Sequence, residues 1–176
     1  MGRDEPLDVE SAVAAAKRAR PELPVVTVGT SLGGAAALLH AGSFGDVAGV
    51  VAVSSPGWWG TFESDGSRRI QRWVAGRAGR TVLAGILRTR VTYDCDRIPS
   101  AGDTVGRIAP AFTVLVHDPD DWYFPADHAR RLHEWAQPPK ALWWYPGGGH
   151  GTDLLTPRLA ARLLAEIRAR LGPKLP

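Results

Sequence analysis

Ser31 stands in the run Gly29-Thr30-Ser31-Leu32-Gly33. A serine hydroxyl is a weak nucleophile until a base takes its proton and a third group orients that base. The chain must therefore supply an imidazole and a carboxylate. Two later segments offer them: His117-Asp118-Pro119-Asp120-Asp121-Trp122-Tyr123-Phe124-Pro125 and Pro146-Gly147-Gly148-Gly149-His150-Gly151. The chemistry such a set performs is attack on a carbonyl carbon through a covalent acyl intermediate.

A Gly-x-Ser-x-Gly run alone is weak evidence. With 8 Ser and 20 Gly in 176 residues, chance yields ~0.1 such runs, so the strand–turn–helix context must decide. That context is present. Val25-Val26-Thr27-Val28 is a β-branched run of the buried-strand type, and Leu32 to Ala41 is a helical run expected to close at Gly42. A sharp turn lifts the hydroxyl above a sheet, and side chains at both flanking positions are expected to collide, which accounts for Gly29 and Gly33. The helix N-terminus then aims the Leu32 N–H at any developing oxyanion. No Gly-Lys-Ser/Thr or Gly-x-Gly-x-x-Gly is present, so the phosphate-loop reading fails.

The other elements follow from periodicity. Residues 9–20 form an Ala-rich helix with Val9, Val13 and Ala16 on one face, stopped by Pro21 and Pro24. Val47–Val53, Phe112–Val116 and Ala141–Tyr145 read as strands. Ala126–Ala136 and a last helix with Leu159, Leu163, Ile167 and Leu171 inward, Ala160 and Leu164 beside them, read as helices. Strands alternating with helices predict an α/β fold: a parallel sheet of about four strands covered on both faces. Ser31 and both later segments then fall at the C-terminal edge of that sheet.

On these motifs the chain resembles the α/β-hydrolase fold superfamily, in its esterase and serine-aminopeptidase-like branch. In that family the chain order is Ser, acid, His, and the acid is followed four positions on by a Pro. Asp121 and Pro125 match; Asp120 and Asp118 stay open as alternatives. The family's His-Gly before the acid reads His117-Asp118 here. Asp118 and Asp120 are otherwise expected to cap the helix near Ala126. The Gly-rich run matches the family's histidine loop and selects His150. His40, His128 and His133 lie in helical patterns and are assigned to packing or surface, and His117 to orienting the acid loop. The resemblance implies a serine hydrolase of carboxylic esters with Ser31, Asp121 and His150 as its triad. Thioesterase, peptidase or acyltransferase chemistry would use the same groups. A non-catalytic binding or assembly module is the alternative of a different class.

Residues 57–109 interrupt the alternation and are read as a mostly helical cap inserted into a core of 1–56 and 110–176. Trp58 and Trp59 are expected either to line an acyl pocket or to pack the cap, and Trp122, Tyr123 and Phe124 to form a second wall. A helix is expected around 68–90, where Arg68, Arg69, Arg72, Arg77, Arg80, Arg88 and Arg90 interleave with Trp73, Val74, Val82, Leu83, Ile86 and Leu87 at helical spacing, as on the solvated faces of amphipathic helices. A net charge of +3 without a binding motif argues against a nucleic-acid partner. The single cysteine, Cys95, excludes an intramolecular disulfide. With no apolar leader and no spanning run, a cytoplasmic protein without a membrane partner is expected. No metal cluster is visible and no cofactor is expected; the partner expected is a small acyl substrate.

A full member of the family places four strands before its serine, and one of them leads to the second oxyanion donor. Only 30 residues precede Ser31. An incomplete copy of a longer protein is the expectation favoured, over a minimal hydrolase completed by a partner chain or a relic that lost activity, with Leu32 as the one oxyanion donor assigned. It also predicts an apolar sheet edge at Val25–Val28, open to pairing in a homo-oligomer.

Overall fold

The computed structural model of the chain describes residues 4–59, 64–86, 88 and 98–172. Among them the order is α1 (Glu5–Ala19), β1 (Val26–Thr30), α2 (Leu32–Phe44), β2 (Gly49–Val53), α3 (Asp65–Ala75), α4 (Arg77–Gly85), α5 (Ala101–Thr104), β3 (Phe112–His117), α6 (Ala126–Trp135), β4 (Lys140–Trp144) and α7 (Pro157–Leu171). Short 3₁₀ turns lie at Val105–Arg107 and Gly151–Leu154. Leu87, Arg90 and Cys95 lie outside the described residues.

The four strands form one sheet in the order β1-β2-β3-β4, every pair parallel. Parallel strands need crossovers, and the helices between them supply these. β2 and residues 114–116 of β3 are apolar at every position because both faces of the sheet are covered there. Alternate residues divide between two cores. Val50, Ala52 and Leu115 face Val13 of α1, Leu38 of α2 and Leu132 of α6. Val51, Val53, Val114 and Val116 face Leu159 and Leu163 of α7, with Ile167 and Leu171 packed against them. Leu164 is left exposed on the outer side of α7.

Two sequence expectations are corrected, and a third observation concerns the packing of residues 101–108. The helix after Ser31 does not end at Gly42. Gly45 ends it, in the left-handed conformation at φ 69°. Gly42 lies inside α2 because a side chain there would strike the Thr104 carbonyl of α5. Residues 68–90 do not form one helix: Ser64 caps α3, and a break at Gly76 starts α4. Finally, Ala101, Val105 and Ile108 belong to the first core although they fall within 57–109. Their burial against α2 makes this part of the stretch integral to the core.

β1 is an edge strand of this sheet, and Val28 on it is 53% exposed. No helix among the described residues is long and apolar enough to cross a membrane.

Candidate active site

Ser31 sits between β1 and α2 with φ 52° and ψ −123°. This backbone region is costly for a residue with a Cβ, at about 1–3 kcal/mol, and persists only where surroundings over-determine it. They do so here. The Ser31 N–H donates to Val53 O on β2 at 2.8 Å, and the Ser31 carbonyl accepts from the Gly34 and Ala35 N–H groups, both at 3.1 Å. Gly29 has no room for a side chain. A Cβ there would fall on the Gly33 carbonyl and lie 2.6 Å from Gly34 N. Gly33 differs from the sequence expectation: a Cβ there meets nothing within 4 Å. The second tight position is Gly34, where a Cβ would overlap Ser55 Oγ and lie 3.0 Å from the Gly29 carbonyl oxygen. The close approach is thus between Gly29 and the first turn of α2, one residue further along than the motif suggests. The Leu32 N–H is the first amide of that turn, a position with no intrahelical acceptor.

His150 reaches Ser31 from the loop after β4. Its Nε2 lies 3.0 Å from Ser31 Oγ, and its Nδ1 lies 2.8 Å from Asp121 Oδ2 and 3.0 Å from Oδ1. With Nδ1 against a carboxylate, the ring proton belongs on Nδ1, and Nε2 is left to accept from the serine hydroxyl. The loop bends through positive φ at Gly147 (74°), Gly149 (78°) and Gly151 (62°), which explains its glycine content. Of the three carboxylates left open by the sequence, Asp121 is the one paired with the imidazole.

Asp121 is buried at the end of β3. Burial pushes its carboxyl up. The His150 hydrogen bond and the N–H groups of Tyr123 (2.7 Å) and Phe124 (3.1 Å) outweigh this and hold it below the ordinary aspartate value. Asp118 and Asp120 do not cap α6, whose N-cap is Pro125 with no side-chain cap bond. Asp118 instead turns inward and is 2% exposed. Asp120 is exposed and uses its own N–H to bond Asp118 Oδ1 at 3.0 Å.

The remaining histidines fall where packing puts them. His40 is buried, 2.7 Å from Glu10 Oε2, and joins α2 to α1. His128 accepts the Gly57 N–H at 3.0 Å. His133 is only partly buried. His117 donates through Nε2 to the Phe124 carbonyl at 3.0 Å and lies 3.9 Å from Asp121 Oδ2, so it braces the acid loop from within. Burial holds His117 below the ordinary histidine value, against the opposing pull of the Phe124 carbonyl and the Asp121 charge.

The sign of the resulting pH effect follows. A folded-state value below the unfolded one means that the unfolded chain takes the proton first as pH falls. Stability is therefore complete above about pH 6.5 and declines below it. Asp121, also depressed, adds its loss at lower pH, as the solution approaches and passes its folded value. We expect the melting temperature to fall from pH 7.5 to 5.5, and His117→Asn to flatten this dependence by up to ~1.4 kcal/mol per pH unit. Equal slopes for parent and variant in calorimetry would remove His117 from the account.

Three aromatic rings surround His150. The centroid of Tyr123 lies at 4.9 Å, Phe124 at 5.5 Å and Trp122 at 5.7 Å. Trp122 is 52% exposed. Trp58 and Trp59 hold packing positions. Trp58 stacks on His128 at 3.9 Å, and Trp59 donates to the Pro99 carbonyl at 2.9 Å and packs on the first core. The start of α3 abuts the acid loop: Ser64 Oγ donates to Tyr123 O at 2.7 Å, and Gly66 fits against Trp122. The sequence carried no signal for this contact beyond the small residues at 64–67. Among the described residues, no group of three or more His, Cys, Asp or Glu could hold a metal ion.

Comparison with known proteins gives the family and the fold. The model of the alpha/beta hydrolase family matches residues 1–174. No curated protein sequence matches the chain. Among solved structures, the chain is similar to the esterase domain of a Rhodothermus marinus protein (22% identity, TM-score 0.55, 91% of this chain and 64% of that one). It is similar to the Pyrococcus furiosus esterase Pf2001 (16% identity, TM-score 0.71, 98% and 63%). It is also similar to the Paleococcus ferrophilus monoacylglycerol lipase (22% identity, TM-score 0.51, 90% and 73%). The chain thus spans less than two thirds of the first two. At these identities the likeness is one of fold.

Proposed function

The chain belongs to the alpha/beta hydrolase family, and from that premise we propose that it hydrolyses carboxylic esters through Ser31, His150 and Asp121. The observation that carries this reading is the unbroken relay from Ser31 Oγ to His150 Nε2 (3.0 Å) and from His150 Nδ1 to Asp121 Oδ2 (2.8 Å).

Ser31 Oγ attacks the ester carbonyl carbon while His150 Nε2 takes its proton. The tetrahedral oxyanion forms beside the α2 N-terminus, where the Leu32 N–H donates to it. Collapse breaks the bond to the alcohol, which leaves with the proton from His150. Water then repeats the sequence on the acyl-serine, and the acid is released. Asp121 holds the imidazole tautomer and stabilises its charged form throughout.

Trp122 gives the open side of this site an aromatic wall, which favours an apolar acyl or alcohol group. α3 acts as a cap at its edge, through the Ser64 and Gly66 contacts. Trp122→Ala is expected to raise KM for an apolar ester ~3–10-fold with kcat little changed. An unchanged KM would move the substrate wall elsewhere.

The test is p-nitrophenyl ester hydrolysis by the purified chain, combined with a fluorophosphonate probe. The expected result is one label per chain on Ser31 and loss of turnover in proportion to labelling. A chain that hydrolyses the ester but takes no label at Ser31 would sink the proposal.

A further inference from the structure

The relay spans two loops that leave different strands. Asp121 follows β3 and His150 follows β4. Misplacing reacting groups by about 1 Å costs on the order of 10² in rate, so something must hold these loops in register. The loop carrying His150 is poorly suited to hold itself. Gly147, Gly149 and Gly151 all adopt positive φ, and glycine has the most backbone freedom to lose.

Asp118 meets this need. It is 2% exposed. Its Oδ2 accepts the Gly149 N–H at 2.8 Å, across 31 residues of sequence. Its Oδ1 accepts the Asp120 N–H at 3.0 Å, and its carbonyl accepts the Asp121 N–H at 3.1 Å. One residue therefore shapes the turn that presents Asp121 and grips the amide of the residue immediately before His150. A carboxylate accepting backbone N–H groups makes bonds about twice as strong as neutral ones, and burial keeps water from competing for them. The bonds that Tyr145 O and His150 O accept from Gly148 and Asp153 are local to the second loop and tie it to nothing on the first.

We propose that Asp118 is a positioning residue, a latch whose carboxylate fixes the Gly149 amide and so sets His150 between Ser31 and Asp121. This rests on the hydrolase reading given above. The imidazole is bonded to Asp121, and Asp118 acts one residue away, on the backbone.

The experiment compares the parent chain with Asp118→Ala and Asp118→Asn. Turnover is normalised to the fluorophosphonate-reactive serine, and hydrogen exchange is read at the Gly149 amide. For Asp118→Ala we expect kcat per reactive site to fall ~10–100-fold, with KM within about three-fold and Gly149 protection lost. Asp118→Asn keeps a carbonyl oxygen for Gly149 and is expected to recover most of both. It also keeps the test alive if the Ala variant does not fold. An Ala variant with kcat per reactive site within two-fold of the parent overturns the latch. So does an Asn variant no better than Ala, or Gly149 protection unchanged in the Ala variant. A parent that takes no label overturns the hydrolase reading instead, and the Gly149 exchange of the variants still reports on the latch.

Discussion

Replacing Ser31 with Ala is expected to lower ester turnover on the order of 10⁴-fold or more while leaving the fold intact. The size follows from the covalent route: without Oγ no acyl-serine forms, and only binding and the Leu32 amide remain to assist water. The fold should survive because the Ser31 contacts that shape the turn are backbone contacts, to Val53 O and from Gly34 and Ala35 N–H. Its side chain bonds only to His150 among the recorded hydrogen bonds of the described residues. The parent and variant should therefore give matching circular dichroism and melting temperature, with fluorophosphonate labelling lost in the variant. Equal turnover in both would show that the activity arises elsewhere.

Gly29→Ala is expected to cost both stability and activity. The added methyl would fall on the Gly33 carbonyl, 2.6 Å from Gly34 N. These are backbone atoms of the turn itself, with no flexible side chain that could swing aside. Relief requires α2 to move away from β1, which would break the Ser31 turn and shift the nucleophile from His150. Forced overpacking of this kind costs about 1–3 kcal/mol or more, and displacement of Ser31 adds a loss of kcat. Gly33→Ala provides the contrast. Its Cβ enters open space, and alanine is the better helix residue by up to about 1 kcal/mol. That variant should be at least as stable as the parent. Denaturant melts of the two variants check both statements, and equal destabilisation would refute the packing account.

The pair also shows how far the motif could be read unaided. Two glycines around a serine announce a strand-to-helix turn. Which of them is sterically required depends on where α2 lies against β1 and Ser55, and that is a packing fact. Gly42 repeats the lesson. As a helix-ending residue it was a sound choice in sequence, but it is retained inside α2 for the passage of Thr104, 62 positions along the chain.

The four strands, their parallel sense and the covering helices were legible because each rests on local patterning. β-branched runs and 3.6-residue periodicity need no distant partner to be recognised. Residue identities likewise named Ser31 and His150, since a glycine-flanked serine and a glycine-borne histidine carry their turn chemistry with them. The acid was narrowed to three neighbouring aspartates, with Asp121 placed first on the family resemblance. Their identical side chains gave no basis for choosing beyond the spacing to Pro125. Only the tertiary structure separated them, by the direction each leaves the loop: Asp121 toward the imidazole, Asp118 toward the Gly149 amide, Asp120 toward solvent. It likewise placed the aromatic enclosure of His150 on residues 122–124, with Trp58 and Trp59 in packing, and drew residues 101–108 into the core. The physical reason is common to these cases. Local propensity determines which elements form and what they carry, whereas partner, direction and burial are set by contacts between residues far apart in sequence.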